Sequence, residues 1–240
     1  MGKQPFLSVL AFTVVALLLG IYLSSFKATQ TTSEQMSAST ISNSSGKNFP
    51  WKITQLASGQ TRVFGLTIGQ STLQDAEQLF KEKSEITLFM LNKKEAVIEA
   101  FFNEVKIAGL KAKMIMSMTL STNELQNMFK RGARIATLGS GTRKVTLSSA
   151  DALNVRQSVI NGITYLPSVQ LNEKVIEKRF GQPDEKIPDT KSDAIHWLYQ
   201  SKGVDIALSA NDKEVIQYVE PEHFAALIAP LKNKNVADKP

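Results

Sequence analysis

Three kinds of hydrophobic pattern follow one another along this chain, and the first is an uninterrupted apolar run. Residues 6–23, FLSVLAFTVVALLLGIYL, contain no charged side chain. As a helix they would span about 27 Å, close to the roughly 30 Å thickness of a bilayer's hydrocarbon core. The run, Phe6–Leu23, is longer than the apolar region of a signal peptide, and no small-x-small pair follows it. We therefore predict a retained transmembrane signal-anchor in residues 1–26, with a cleaved signal peptide as the alternative.

The second pattern is polar. Residues 27–48 contain ten serines or threonines and few apolar side chains. Such a composition cannot form a core, so it predicts a flexible tether. Because the large polar part of the chain follows the apolar run, we predict a cytoplasmic N-terminus. The remainder is then exported to the periplasmic side of the cell inner (cytoplasmic) membrane as part of a single-pass protein.

The third pattern begins at residue 49 and mixes helical with strand periodicity. Ser71 and Gln74 match a capping box, and Leu73, Ala76 and Phe80 fall on one helical face. Three strand-like runs follow at residues 86–91, 96–102 and 110–120, the last with alternating polarity. Residues 49–120 therefore predict a first α+β unit of one helix and a three-stranded antiparallel meander.

Residues 121–165 are predicted to connect this unit to a second one. Ser121 and Glu124 form another capping-box pattern, and a short helix is predicted over residues 149–157. Between them, residues 132–147 read as a basic, glycine-rich loop. The pair Asn161-Gly162 is typical of a tight turn, and it predicts one within this connection.

The first arrangement then returns in residues 166–232. A helix with Val175, Ile176 and Phe180 on its apolar face is followed by strand-like runs at residues 194–200, 204–209 and 214–219, a closing helix and a polar tail at residues 233–240. The predicted fold class is α+β, with an N-terminal transmembrane helix followed by two helix-plus-three-stranded-antiparallel-meander units. The pattern leaves open whether the units share one sheet or form two lobes.

One piece of the second unit has a known counterpart. Its helix ends in RFGQP at Arg179–Pro183, and Trp197 and Tyr199 lie in the next strand. This piece, Leu171–Tyr199, resembles the SmpA/OmlA (BamE-like) outer-membrane-assembly lipoproteins. The resemblance implies a periplasmic binding module with helices packed on a three-stranded sheet, and a tandem of such units as in β-lactamase inhibitory proteins. The first half lacks the glycine and proline after Phe80, and the chain has no cysteine for a lipid anchor.

The residue content limits the chemistry. The chain has no cysteine and two histidines, His196 and His223, neither with a neighbour at metal-ligand spacing. It contains no Gly-x-Ser-x-Gly nucleophile motif and no Walker phosphate loop. We therefore predict no catalytic residue, no metal site and no cofactor. A hydrolase centred on His196 is the remaining enzymatic alternative.

Two groups of residues are candidates for binding. The chain has a formal net charge of +6, and cations gathered around glycines can hold a phosphate or carboxylate. Those cations are Lys130, Arg131, Arg134, Arg143 and Lys144, with a solvated loop as the alternative reading. A methionine stripe can line an adaptable groove for a peptide or acyl chain, or belong to the core. Its members are Met114, Met116 and Met118.

These patterns together predict a membrane-anchored, exported, non-enzymatic binding or scaffold protein of the cell envelope. The predicted partner is an envelope membrane protein or protein complex, with anionic lipid as a second ligand. Export argues against nucleic acid as a partner. A lipid-binding or lipid-transfer accessory protein is the alternative, and a cavity lined by the methionine stripe would favour it.

Overall fold

The computed structural model describes residues 48–92, 95–189, 192–209 and 213–237. The helices within these ranges are α1 Leu73–Phe80, α2 Thr122–Lys130, α3 Ser149–Arg156, α4 Glu173–Phe180 and α5 Phe224–Ala237. The strands are β1 Thr54–Gln55, β2 Thr61–Val63, β3 Leu66–Thr67, β4 Glu85–Met90, β5 Ala96–Ile107, β6 Leu110–Met118, β7 Arg134–Thr137, β8 Arg143–Thr146, β9 Ile160–Pro167, β10 Glu185–Pro188, β11 Ile195–Tyr199, β12 Val204–Leu208 and β13 Val215–Tyr218. Short 3-10 turns lie at Gln200–Lys202 and Pro221–His223.

The main element is one antiparallel sheet of ten strands, in the order β10-β11-β12-β13-β9-β6-β5-β4-β8-β7. Strands β1, β2 and β3 form a separate small sheet. The predicted fold of two α+β units, each with its own three-stranded meander, is therefore wrong. Strand β9 pairs with β6 on one side and β13 on the other, and so joins the two meanders into one sheet.

The tight turn predicted at Asn161-Gly162 is wrong for the same reason. Gly162 pairs with Ser117 and Ile160 pairs with Met118, so Asn161 is the extra residue of a β-bulge inside β9. A two-residue turn signal reports only a local preference. Strand β6 pairs with β9 from Ile160 to Pro167, and β13 pairs with the residues that follow Gly162. These hydrogen bonds outweigh the preference.

Local sequence patterns predict several helix ends to within one residue. The capping box of α2, Ser121 with Glu124, is confirmed, with each side chain bonded to the other residue's backbone amide. In α1 the box is Thr72 with Asp75, one residue later than predicted. Helix α4 ends at Gly181, whose φ of +86° favours glycine because a Cβ atom would be strained there.

The ten-stranded sheet has two faces because side chains alternate along each strand. The core face packs against α1, α2, α3 and α4 in one large buried cluster. On β5 and β6 it carries Ile98, Ala100, Phe102, Met114, Met116 and Met118. We call the opposite side the second face. On β5 and β6 it carries Val97, Glu99, Phe101, Lys113, Ile115 and Ser117.

Helix α5 packs at one end of the second face. Its residues Phe224, Leu227 and Ile228 lie in a cluster with Ile187 of β10 and Leu198 of β11. Within the described ranges, every helix is too short or too polar to cross a membrane. The predicted anchor at residues 6–23 lies outside those ranges, as do residues 27–47 of the predicted tether.

Candidate functional site

The second face carries a carboxyl group with no partner. Glu99 lies within β5 and is 1% exposed, and neither of its carboxyl oxygens has a hydrogen-bond partner. Burial raises the pKa of Glu99 to about 8. The side chain is therefore mostly protonated at pH 7, because a buried, unpaired carboxylate has a large free-energy penalty.

Two further polar groups on this face are unsatisfied. Ser117 lies directly opposite Glu99 on β6, and its Oγ atom is buried without a partner. The same holds for Nε2 of Gln217 on β13. Cβ atoms of directly opposed residues lie about 5 Å apart, so the Glu99 and Ser117 side chains are neighbours. Since buried polar groups are normally hydrogen-bonded, this face has unused capacity to bind something.

An apolar cluster lies beside these groups. It consists of Phe101, Ile115 and Leu166, with Val215 packed against it. Among the described residues all its members are strand residues of the second face. Strand register continues the row from Phe101 and Ile115 through Thr164 to Gln217. The second face thus combines an apolar stripe with unpaired hydrogen-bonding groups.

A pocket of about 690 Å³ opens at the end of β6, between the first turn of α2, the segment after α3 and the start of α5. Thr119 lines it and follows directly after the end of β6, two residues beyond Ser117. The bulge residue Asn161 also lines it, and Oδ1 of Asn161 is buried without a hydrogen-bond partner. Two residues of a strand span roughly 7 Å, so the pocket begins about that far from Ser117.

The charged residues that line the pocket are Glu124, Glu220 and His223. The Glu220 carboxylate lies so close to Gly69 that a Cβ atom there would be 2.5 Å from Oε1. Burial raises the pKa of Glu220, and the neighbouring His223 partly offsets this. With Glu222, these two residues could bring three ligand atoms within 4.8 Å of one another. Exposed acidic groups of this kind are common without a metal.

The five cations predicted as a binding cluster lie at one edge of the sheet, around α2 and the β7–β8 hairpin. Three of them are engaged within the chain. Arg131 Nη2 is 2.6 Å from Oδ1 of the buried Asp151, Lys144 Nζ is 3.1 Å from Oε1 of Glu85, and the Arg143 guanidinium is 4.7 Å from the Phe129 ring centre. Lys130 and Arg134 are exposed. A role of this edge in anion binding stays a prediction.

The other residues that the sequence suggested as candidates are packed in the core or bonded to a neighbouring side chain. Met114, Met116 and Met118 are at most 6% exposed and belong to the core-face cluster, and none of them lines the pocket. His196 lies on the second face, with Nδ1 2.9 Å from Oδ2 of the buried Asp205. Trp197 and Tyr199, from the piece that resembles the BamE-like proteins, are both buried on the core face.

The sequence reading did not single out Glu99 or Ser117. One signal was available, because Glu99 is the charged residue in the otherwise apolar run AVIEAFF at residues 96–102. Period-two alternation places it opposite the core, where a glutamate is normally solvated. Only the sheet topology shows that this position lies at the centre of ten strands and not at a surface.

Comparisons with known proteins add little to this geometry. No protein-family model matches the chain, and no curated protein matches it in sequence. One solved structure with detectable similarity is a DUF4309 family protein (YjgB) from Bacillus subtilis subsp. subtilis str. 168. It is 12% identical, with a TM-score of 0.31, and the match covers 68% of this chain and 88% of that one. A TM-score this low supports no conclusion about fold or function.

Proposed function

We propose that this protein is a membrane-anchored, exported, non-enzymatic binding protein of the cell envelope, and that it binds its partner with the second face of its sheet. The observation that supports this site is the set of buried, unpaired groups on Glu99, Ser117 and Gln217. Folding alone gains nothing from leaving such groups unsatisfied. A partner that supplies their hydrogen bonds would recover that free energy on binding.

The envelope location is supported by the sequence before the described domain. Phe6–Leu23 has the length and apolar character of a membrane span, and residues 27–48 have the composition of a tether. The resemblance of Leu171–Tyr199 to the BamE-like proteins points to the same compartment. A tethered domain would search the space next to the membrane, where an envelope protein is the partner we propose.

The structure favours a protein partner over a transferred lipid. The lipid alternative depended on a cavity lined by Met114, Met116 and Met118, and these side chains are packed into the core. The pocket beside the end of β6 is lined instead by backbone turns and by the carboxylates of Glu124 and Glu220. Carboxylates would repel a phospholipid headgroup, since its phosphate is negatively charged.

The test is site-specific photo-cross-linking of the full-length protein in intact cells. A photoreactive residue at Ala226, which lines the pocket, should give a discrete cross-linked product that mass spectrometry identifies as an integral envelope protein. The matched control replaces Leu153, which is 62% exposed on α3, on the helix side of the sheet. Identical products from both positions, or none from Ala226, would contradict binding by the second face.

The anchor is tested separately by substitution within the apolar run. An arginine at the centre of a spanning helix disfavours insertion by roughly 2.5–3.5 kcal/mol. Leu17→Arg should therefore lower the fraction of protein that resists alkaline extraction from membranes, whereas Leu17→Ala should not. Release of the unsubstituted protein by alkaline extraction would show that the segment is not an anchor.

A further inference from the structure

The two edges of the ten-stranded sheet differ in what they offer to a further strand. Strands β10 and β7 are the outermost strands of the described sheet. In an antiparallel pair every second residue bonds to the neighbouring strand, and the residues between them direct their backbone amide and carbonyl away from it. An edge strand is therefore open to pairing wherever those outward groups are free.

The β10 edge is closed by a proline. The Asp189 amide bonds to the Ala194 carbonyl at 2.9 Å, and the register of β10 with β11 continues from this pair. By alternation, Lys186 and Pro188 are the outward residues of β10. A proline has no amide hydrogen, so Lys186 is the one of these two that can donate outward. This edge is therefore a poor template for a further strand.

The β7 edge has no such block. At the end of the β7–β8 hairpin, the Leu138 amide bonds to the Thr142 carbonyl at 2.8 Å, and by alternation Ile135 and Thr137 are the outward residues of β7. Among the described residues, their backbone groups have no hydrogen-bond partner. Both side chains are exposed, that of Ile135 to 46%. Each residue thus offers one backbone donor and one acceptor to an added strand.

The side chains on the two faces of this edge differ in chemistry. Ile135 pairs with Val145, which belongs to the core-face cluster, so Ile135 extends the apolar face to the edge. Arg134 pairs with Thr146 and lies on the second face. Arg134 and Lys130, which lies four residues earlier at the end of α2, are exposed cations. An added strand would meet hydrocarbon on one face and a guanidinium on the other.

We infer that the β7 edge binds an extended segment of a partner protein as an added strand, and that this segment alternates apolar with acidic side chains. Alternate residues of a strand face opposite sides of the sheet, so the apolar ones would pack on Ile135 and the acidic ones would pair with Arg134. A second copy of this edge fits less well, because it would bring the cations of both copies together. The surface is separate from the second face and goes beyond the proposed function.

The experiment is fluorescence anisotropy of a short labelled peptide that alternates valine with glutamate. It is titrated with the full-length protein in nanodiscs of phosphatidylcholine. One control peptide has lysine in place of glutamate, and the other keeps glutamate but carries N-methyl groups on its amides, which removes the backbone donors. We expect saturable binding of the valine–glutamate peptide and about tenfold weaker binding of both controls.

Two substitutions test whether the peptide binds at β7. Thr137→Pro removes an outward donor and leaves the hydrogen bonds to β8 intact, because a proline is tolerated at such an edge position. This variant and Arg134→Glu should each bind the valine–glutamate peptide about tenfold more weakly than the unsubstituted protein does. Lys174→Glu makes the same charge change at an exposed residue of α4, and it should bind as the unsubstituted protein does.

Unchanged binding by either β7 variant would overturn the inference, as would equal binding of the N-methylated peptide or no saturable binding at all. Sedimentation in detergent tests the second copy as the occupant. A dimer that Thr137→Pro dissociates would also overturn the inference, since the edge would then pair with itself. None of these results affects a cross-link from Ala226 to an envelope protein, so the two proposals can fail independently.

Discussion

The two faces of the ten-stranded sheet differ in how many buried polar groups their strands leave without a partner. The core face has the hydroxyl of Tyr165, and the second face has groups on Glu99, Ser117 and Gln217. The core face packs four methionines and aromatic or branched side chains against four helices, in one large cluster. The second face has a small apolar cluster built from strand residues, next to buried polar atoms without partners. The first arrangement is what folding stability requires. The second leaves several buried hydrogen-bonding groups unused.

Two buried glutamates make the same comparison at the level of single residues. Glu77 of α1 accepts hydrogen bonds from Lys83, Ser84 and Arg156, at 2.9–3.0 Å for the side-chain donors. Burial alone would raise the pKa of Glu77, but these bonds, with that of the Ser84 amide, lower it overall. Glu99 has no such partners. One carboxylate is a structural ion pair, and the other is kept neutral.

Two adjacent phenylalanines give the largest expected effect. Phe102 points into the core face, where its ring meets Phe80 edge-on with centres 5.7 Å apart, whereas Phe101 belongs to the small cluster of the second face. We expect Phe102→Ala to lower the free energy of unfolding by about 4 kcal/mol, and Phe101→Ala by about 2 kcal/mol. Denaturant unfolding of the two variants measures this. Equal losses would show that the second face contributes to stability as the core face does.

The two glutamates should respond to neutralisation in opposite directions. At pH 8, Glu77→Gln should destabilise the protein by roughly 2–3 kcal/mol, because it leaves Arg156 near a neutral amide in a partly buried site. Glu99→Gln should stabilise it by about 2 kcal/mol, because at pH 8 the unfolded chain ionises this carboxyl almost fully and the folded protein only in part. Both values come from denaturant unfolding under the same conditions.

The raised pKa of Glu99 should make the stability of the protein depend on pH. The unfolded carboxyl ionises near pH 4.5, and the folded one near pH 8. In the unsubstituted protein, the contribution of Glu99 to the free energy of unfolding therefore falls as pH rises through that window and is level above it. In Glu99→Gln this fall should be absent. A fall of the same size in both proteins would mean that Glu99 titrates normally.

His196 should give a smaller effect. Its partner Asp205 favours the charged form of the side chain, whereas Glu99 has no partner and is kept neutral. Burial lowers the pKa of His196. The hydrogen bond and charge of Asp205, together with the charge of Asp189, raise this pKa by more than burial lowers it, so it lies above 6.5. Its stabilising charge is thus fully present below pH 6.5 and is lost as pH rises through the folded-state pKa. We expect His196→Gln to destabilise by about 1 kcal/mol more at pH 5.5 than at pH 8.5. Unfolding at both pH values tests this, and a pH-independent loss would refute it.

The exposed cations of the sheet edge should have the smallest effect on stability. Lys130 and Arg134 make no ion pair or hydrogen bond among the described contacts, so Lys130→Glu with Arg134→Glu should change the free energy of unfolding by less than about 0.5 kcal/mol. The same double variant also compares this edge with the second face as a binding surface. We expect the cross-link from Ala226 to persist in it. Loss of that cross-link would shift the binding surface to the basic edge.

The sequence predicted the elements better than it predicted how they pair. The capping box at Ser121 and the glycine stop at Gly181 involve residues a few positions apart, and a local pattern therefore contains all their partners. The role of β9 could not be found in this way. Its edges pair with β6, more than forty residues earlier, and with β13, about fifty residues later, and the Asn161-Gly162 signal pointed to a turn.

For the candidate site, too, the local sequence predicted which side chains share a strand face but not which strands lie side by side. Alternation along β5 and β6 already placed Met114, Met116 and Met118 on one face and Ile115 and Ser117 on the other. It could not show that Glu99 stands opposite Ser117, because that register depends on the pairing of two strands and on a bulge between Phe102 and Val105. Neither could it show that the second face is buried.

By itself the sequence determined the apolar run before the domain, the polar segment after it, the periodicity of most helices and strands, and the absence of cysteine chemistry. These depend on composition and on neighbours within about one helical turn or one strand. The tertiary structure alone decided that two meanders form a single sheet, that three of the predicted binding cations are used within the chain, and that a glutamate without a partner lies at the centre. Those features arise from hydrogen bonds and burial between distant segments, which a local pattern does not encode.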